Sequence, residues 1–245
     1  MDSLRLGMLL PGGRPVGDGI NHAQRAPVLT RQGEVMAIVK ELPLYELITE
    51  ILCALLGREL NLPIPEPLLV IDPAQQLLVA GSVDVGYPSL HQPVLAAHLP
   101  LIAALLQGWP ALVRSACFDE WIANPDRHGG NLLFDGQGFW LIDHGLALRV
   151  DPATVTVNHL MTTAIAARTD ELARQRLKRE VTQIYASYTD DLLLAAEQII
   201  ATADILNAAI PLNQGLHFLR RRWLALNSMT ALRIRTTQGD LDYGH

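Results

Sequence analysis

Two short apolar runs, Asn131-Leu132-Leu133-Phe134 and Gly138-Phe139-Trp140-Leu141-Ile142, flank the turn sequence Asp135-Gly136-Gln137-Gly138. Apolar runs of this length around an Asp-Gly turn predict an antiparallel hairpin. Pairing forces its outer ends together, so Asn131 at one end must lie near Asp143 at the other. Upstream, the polar loop Asn124-Pro125-Asp126-Arg127-His128 adds a second carboxylate five residues before Asn131. Taken singly, each residue is ordinary turn chemistry, because Asp, Asn and Gly abound in loops. Order and spacing carry the signal, since a plain loop has no reason to hold the whole set.

That set suits phosphoryl transfer. The reaction asks little covalent work of a protein, which must align two reactants and neutralise developing negative charge. Asp126 would accept or orient the proton of an acceptor hydroxyl. Asn131 offers a neutral carbonyl oxygen and Asp143 a carboxylate, ligands that hard Mg²⁺ prefers. His128 would fix the loop or stabilise the transferring group. The residues therefore predict a kinase.

Asp126-Arg127-His128-x-x-Asn131 with Ile142-Asp143-His144-Gly145 resembles the catalytic and metal-binding motifs of HipA-like kinases. The same Asp-Arg-His-x-x-Asn pattern occurs in the related phosphatidylinositol 3- and 4-kinases. The usual eukaryotic protein kinases differ, placing His and Arg before the catalytic Asp and carrying Asp-Phe-Gly. The resemblance implies an α+β, two-lobed protein-kinase-like fold with a small β-rich N-lobe and a mostly helical C-lobe. It also implies ATP with Mg²⁺, and Asp126 as catalytic base. Its motifs run from about Gly33 to Arg149, while the helical end matches in general character. Full-length HipA toxins are longer and carry an extra N-terminal subdomain that contacts a DNA-binding antitoxin. This chain has little room for one, so the resemblance does not extend to toxin activity, an antitoxin partner or a translation-factor substrate.

The N-terminal half fits the same plan. Gly33-Glu34-Val35-Met36-Ala37-Ile38-Val39-Lys40 reads as a strand closing on a lysine, and Leu44 to Leu60 as the following helix. A strand-borne lysine beside phosphates needs a carboxylate to hold it. Glu46 and Glu50 share one helix face. The resemblance selects Glu50, which precedes Asn61-Leu62-Pro63-x-Pro65 at the family's spacing. The runs Leu68–Ile71 and Gln76–Ala80 read as two further strands, with Gly81-Ser82-Val83-Asp84 as the hinge where adenine sits and Gly81 as the nucleotide contact. No Walker loop or Gly-x-Gly-x-x-Gly is present. The cluster Gly12, Gly13, Gly17 and Gly19 and the turn Asn21–Ala26, with His22 and Arg25, are the candidates for covering phosphates.

These elements predict one kinase domain over 1–245, with an N-lobe of about 1–82 and a C-lobe of about 83–245. A net charge of −6 argues against a general nucleic-acid binder, which needs a basic surface. The basic cluster Arg220-Arg221-Arg222 reads as a solvated helix face. Cys53 and Cys117 give neither a disulfide framework nor zinc spacing and read as buried thiols in a reducing compartment. The longest apolar run, Val94 to Leu106, is too short to span a bilayer and reads as a core helix. With no leader apparent at Met1–Arg5, a cytoplasmic protein is expected. Asp151 to Thr169 takes the place of an acceptor-docking segment. Helical periodicity follows from Asp170, then over Asp190–Ala203 and Asn213–Ile234, and Gln238–His245 reads as a frayed tail. A Ser/Thr protein kinase is the favoured reading. A small-molecule or lipid kinase on the same scaffold, and a nucleotide-binding pseudokinase, remain open.

Overall fold

The computed structural model describes residues 4–16 and 23–236. Its first strands are β1 (Arg5–Leu9), β2 (Arg14–Pro15), β3 (Gln24–Thr30) and β4 (Gly33–Lys40). Helix α1 (Leu44–Glu59) follows, then β5 (Pro67–Asp72) and β6 (Leu77–Val83). Strands β3 and β4 alternate buried small or branched residues with more exposed ones, which gives each a buried face and an outer one. The six strands run in the order β1–β5–β6–β4–β3–β2, and β1 also pairs with β3. Because β1 lies parallel to β5 and antiparallel to β3, the sheet closes into a barrel. Ala26, Val28, Ala37, Val39, Leu68, Val70 and Val79 fill its interior as a separate apolar cluster. Gly7 permits the closure: a Cβ there would lie 2.4 Å from Val28 Cγ1. Closing the barrel leaves its principal strands with partners on both sides.

Helix α1 is apolar nearly all round, as a helix buried between two layers must be. It packs against β5 and β6 on one side and against two C-terminal helices on the other. Proline-rich Asn61–Pro65 stops it and turns the chain into β5.

After β6 the chain passes from the barrel to the helical part. A 3₁₀ turn (Pro93–His98) leads into α2 (Leu99–Gly108), followed by α3 (Leu112–Trp121). The expected core helix over Val94–Leu106 is therefore broken, and Ile102 is its one buried residue. Pro100 explains the break, because proline starts helices well and continues them badly. Val94, Leu99, Leu101 and Leu105 face outward. By contrast α3 is buried from Leu112 to Trp121 save Arg114, its carboxylates Asp119 and Glu120 included. Among the described residues no single helix is long and apolar enough to cross a membrane.

The predicted hairpin forms as β7 (Leu132–Phe134) and β8 (Phe139–Leu141), with Leu132 opposite Leu141. The linker after β6 adds a partial third strand: Ser89 bridges Leu133, and Phe134 N donates to Pro88 O at 2.9 Å. Helices α4 (His159–Ala166), α5 (Glu171–Ala186), α6 (Asp190–Thr202) and α7 (Ala209–Arg233) complete the chain. Asn158, Asp170 and Thr189 cap the first three of these through their side chains. Helix α7 starts one turn earlier than its apolar periodicity predicts. Both cysteines are buried and free. The tail residues 238–245 lie outside the described residues.

Candidate active site

The loop that carries Asp126 is built from the end of α3. Ala123, at φ 49°, turns the chain out of that helix, and Asn124 Oδ1 accepts the N–H of Asp126 at 3.1 Å. Arg127 then points inward. Its guanidinium grips the buried Asp119 carboxylate with two bonds of 3.0 and 3.1 Å. Its Nη1 donates to the carbonyls of Asn131 at 2.9 Å and Ile142 at 2.5 Å. One buried side chain thus ties both outer ends of the hairpin to α3, with the loop that carries Asp126 folded over them.

Asn131 orders the exposed face of this loop. Its Nδ2 donates to the carbonyl of Asp126 at 2.7 Å and to the carboxylate Oδ2 at 3.0 Å. The amide oxygen therefore points away from Asp126, and among the described residues it accepts no hydrogen bond. Ile142 N donates to Asn131 O at 3.2 Å, which sets Asp143 just beyond the register. His128 Nδ1 accepts from Gly130 N at 2.9 Å, placing any proton of the neutral ring on Nε2, 3.6 Å from Asp126 Oδ1. His91, from the linker, stacks on that ring at 5.1 Å and 3°. A Cβ at Gly130 would sit 2.6 Å from His128 Cε1 and 2.9 Å from His91 Nδ1, so glycine there lets the two stacked rings lie over the loop.

Across the cleft stand Lys40 and Glu50. The Lys40 ammonium forms its ion pair with Asp143, not with Glu50 as expected. Glu50 instead accepts the backbone N–H of His144 at 2.5 Å and faces the His144 imidazole, 3.6 Å from Nδ1. Asp143 sits at φ 60°, a left-handed conformation that Asp tolerates better than most residues. That bend turns the next peptide N–H onto Glu50 while its carboxylate meets Lys40. Burial would push the Glu50 carboxyl up, but the facing His144, the Lys40 charge and the His144 N–H outweigh it and hold it at about 2. Burial pushes the Lys40 ammonium down, and the charge of Glu50 opposes that. Glu46, one turn back on α1, pairs instead with Arg149 at 2.7 Å.

The structure corrects three further expectations. Gly81 lies inside β6, in register with Val39 of β4 and Leu68 of β5, and not in the connection expected there. The linker begins at Asp84, whose side chain pairs with Arg25 at 2.6 Å, so Arg25 is held by the linker. Of the Arg220–Arg222 cluster, Arg220 does face outward and meets Asp190, but Arg222 is wholly buried among groups from α3 and the expected docking segment. That segment is also shorter than Asp151–Thr169, because α4 occupies His159–Ala166. Gly17, Gly19, Asn21 and His22 lie outside the described residues.

Sequence reasoning missed Arg127 with Asp119, Arg222 with Glu120, and His91. A signal for the first two pairs existed. Asp119-Glu120 interrupts the apolar run Cys117-Phe118 … Trp121-Ile122, and buried carboxylates require buried cations. For His91 there was none, since its role depends on the linker pairing with the hairpin.

These elements superpose on a solved structure. The crystal structure of a Helicobacter pylori proinflammatory kinase, CtkA, matches with a TM-score of 0.55, covering 92% of this chain and 96% of that one. The chain has a kinase-like fold. Sequence identity over the match is 13%, so the likeness is one of architecture. No family model and no curated protein matches the sequence.

Proposed function

We propose that this chain is an ATP- and Mg²⁺-dependent phosphotransferase on a two-lobed protein-kinase-like scaffold, acting on a hydroxyl acceptor, with Ser or Thr of a protein favoured. One observation carries the reading. Asn131 uses its amide nitrogen to orient Asp126 and leaves its amide oxygen without a protein donor, while its backbone carbonyl accepts from Ile142, the residue before Asp143, so a single residue joins the proposed acceptor carboxylate to the proposed cation ligands. A plain hairpin has no need of that division.

The donor set fits a hard cation. One carboxylate and one amide oxygen are too few to hold Mg²⁺ alone, and among the described residues no group of three or more His, Cys, Asp or Glu forms a separate metal site. Asn131 and Asp143 would hold the ion together with phosphate oxygens and water. Bound there, Mg²⁺ neutralises charge on the phosphates. Lys40 would pair with phosphate, while Glu50 holds the backbone after Asp143 in place. Asp126 takes the acceptor proton, fixed by the Asn131 amide and flanked by His128 Nε2. The HipA-like resemblance of these motifs is what favours a protein acceptor.

Calorimetric titration of ATP in the presence of Mg²⁺ tests the assignment. Asp126→Ala acts on the acceptor side and should leave affinity nearly intact, whereas Asp143→Ala removes a cation ligand and should weaken binding on the order of 10-fold or more. Equal affinity in all three proteins, with or without EDTA, would remove Asp143 from the site.

A further inference from the structure

Asp119 and Glu120 are adjacent on α3, pointing about 100° apart around the helix. The first holds Arg127 and the catalytic loop. The second holds a different structure. Arg222, fully buried on α7, donates from Nε to the Glu120 carbonyl at 2.5 Å and from Nη2 to its Oε1 at 3.4 Å. Its Nη1 donates to the carbonyls of Pro152 at 3.1 Å and Thr154 at 2.8 Å. Arg233, about three turns further along α7, brings Nε to 2.8 Å from Glu120 Oε2 and donates from Nη2 to Glu120 Oε1 at 3.1 Å and to the carbonyl of Thr156. Asn158 closes the set, donating to Glu120 Oε2 at 3.0 Å while its Oδ1 caps α4 through Met161 N at 2.8 Å.

The carbonyls of residues 152, 154 and 156 are thus taken at alternate positions by two guanidiniums, and residue 158 starts the next helix. All this lies between the Asp143–Gly145 turn and α4, where the acceptor is expected to dock. We propose that Glu120, Arg222 and Arg233 are positioning residues that hold Pro152–Asn158 in its acceptor-docking shape without modification of the segment. The proposal rests on the phosphotransferase reading above. Phosphorylation-ordered segments depend on cationic side chains that wait for a phosphate. Here the guanidiniums are already committed. Two of them face one carboxylate, and the segment's carbonyl dipoles supply the rest of the compensation. Lifting the segment would leave buried charged donors unsatisfied, which is costly.

Two measurements on the full chain test this. In the first, elastase, which cuts beside small apolar residues, probes Ala153, Val155 and Val157. Wild type and Arg220→Ala, on the same helix but outside the clamp, should resist nicking. Arg222→Met and the milder Arg233→Ala should be cut there on the order of 10-fold faster. The Arg233 variant keeps the test open if Arg222→Met fails to fold. Unchanged nicking in Arg233→Ala, or in a folded Arg222→Met, would overturn the clamp. In the second, transfer from γ-labelled ATP to myelin basic protein should show KM for the protein raised about 10-fold in Arg233→Ala, with KM for ATP unchanged and Arg233→Lys partly restored. A parallel rise in both KM values would reduce the residues to general scaffolding, against the proposal. Loss of transfer in Thr154→Ala/Thr156→Ala would equally contradict it. If wild type transfers nothing, the phosphotransferase reading fails while the nicking pattern still decides the clamp.

Discussion

The two walls of the cleft are built on opposite principles. On the barrel side, Lys40 is presented by a strand whose neighbours pack into an apolar interior cluster, and Glu50 by a helix buried on nearly every face. On the helical side, the loop carrying Asp126 and the Pro152–Asn158 segment hang from three guanidiniums, two of them buried and that of Arg233 partly exposed, on two adjacent carboxylates. Apolar packing is non-directional and tolerates small shifts. Charge-assisted hydrogen bonds fix direction as well as distance, and fail badly when one partner is lost. The wall that carries Asp126, the proposed acceptor-side carboxylate, uses the directional kind.

The most severe way to break this contrast is Arg127→Met. It strands the Asp119 carboxylate in the core and unties the hairpin, and should cost about 3–5 kcal/mol, read as a lower midpoint in urea unfolding. An Asp119→Leu/Arg127→Met double variant should recover part of that stability and none of the transfer activity. If the single variant unfolds like wild type, the helical wall does not depend on its charge pairs. On the barrel side, Leu68→Ala should cost about 2–5 kcal/mol by opening a cavity, with Mg·ATP affinity moving less than in Asp143→Ala.

A third prediction concerns acid. The Glu50 carboxyl is held at about 2 in the folded protein against 4.5 ordinarily, so its contribution is complete above pH 4.5 and fades as pH falls toward 2. That contribution is at most about 3 kcal/mol. Thermal melts from pH 6 to pH 3 should therefore fall more steeply for wild type than for Glu50→Gln; parallel slopes would deny Glu50 its contacts with His144 and Lys40. The smallest effect belongs to the surface pair Glu46–Arg149. Glu46→Ala should change stability by less than about 1 kcal/mol and should leave Mg·ATP affinity unchanged, distinguishing it from Glu50.

The same contrast explains what could be read from the chain. Strand alternation through Val35–Val39, the Asp-Gly turn of the hairpin and the helix before Asn61–Pro65 are local patterns, and local patterns are what periodicity detects. Thus Lys40, Glu50, Asn131 and Asp143 fell on the right elements, although the partner of Lys40 did not. Arg222 misled because three consecutive arginines look like solvent-facing charge, and its burial follows only from Glu120, 102 residues away. The Val94–Leu106 stretch misled in the opposite sense, its apolar composition suggesting core while Pro100 broke it at the surface. Gly81 went astray because strand length, set by pairing with β4 and β5, is not written in the strand itself. Barrel closure was equally hidden, since it rests on β1 meeting β3 and β5 at once.

The most direct measurement is transfer of label from γ-labelled ATP with Mg²⁺, using wild type and Asp126→Ala with a host lysate as the source of acceptor. Labelled protein with wild type, reduced by roughly 10²–10⁴ in Asp126→Ala, is the predicted result. Equal labelling by the two proteins would contradict the assignment of Asp126, and label confined to small molecules would contradict the protein acceptor. Mg·ATP bound with no transfer at all would contradict the phosphotransferase itself.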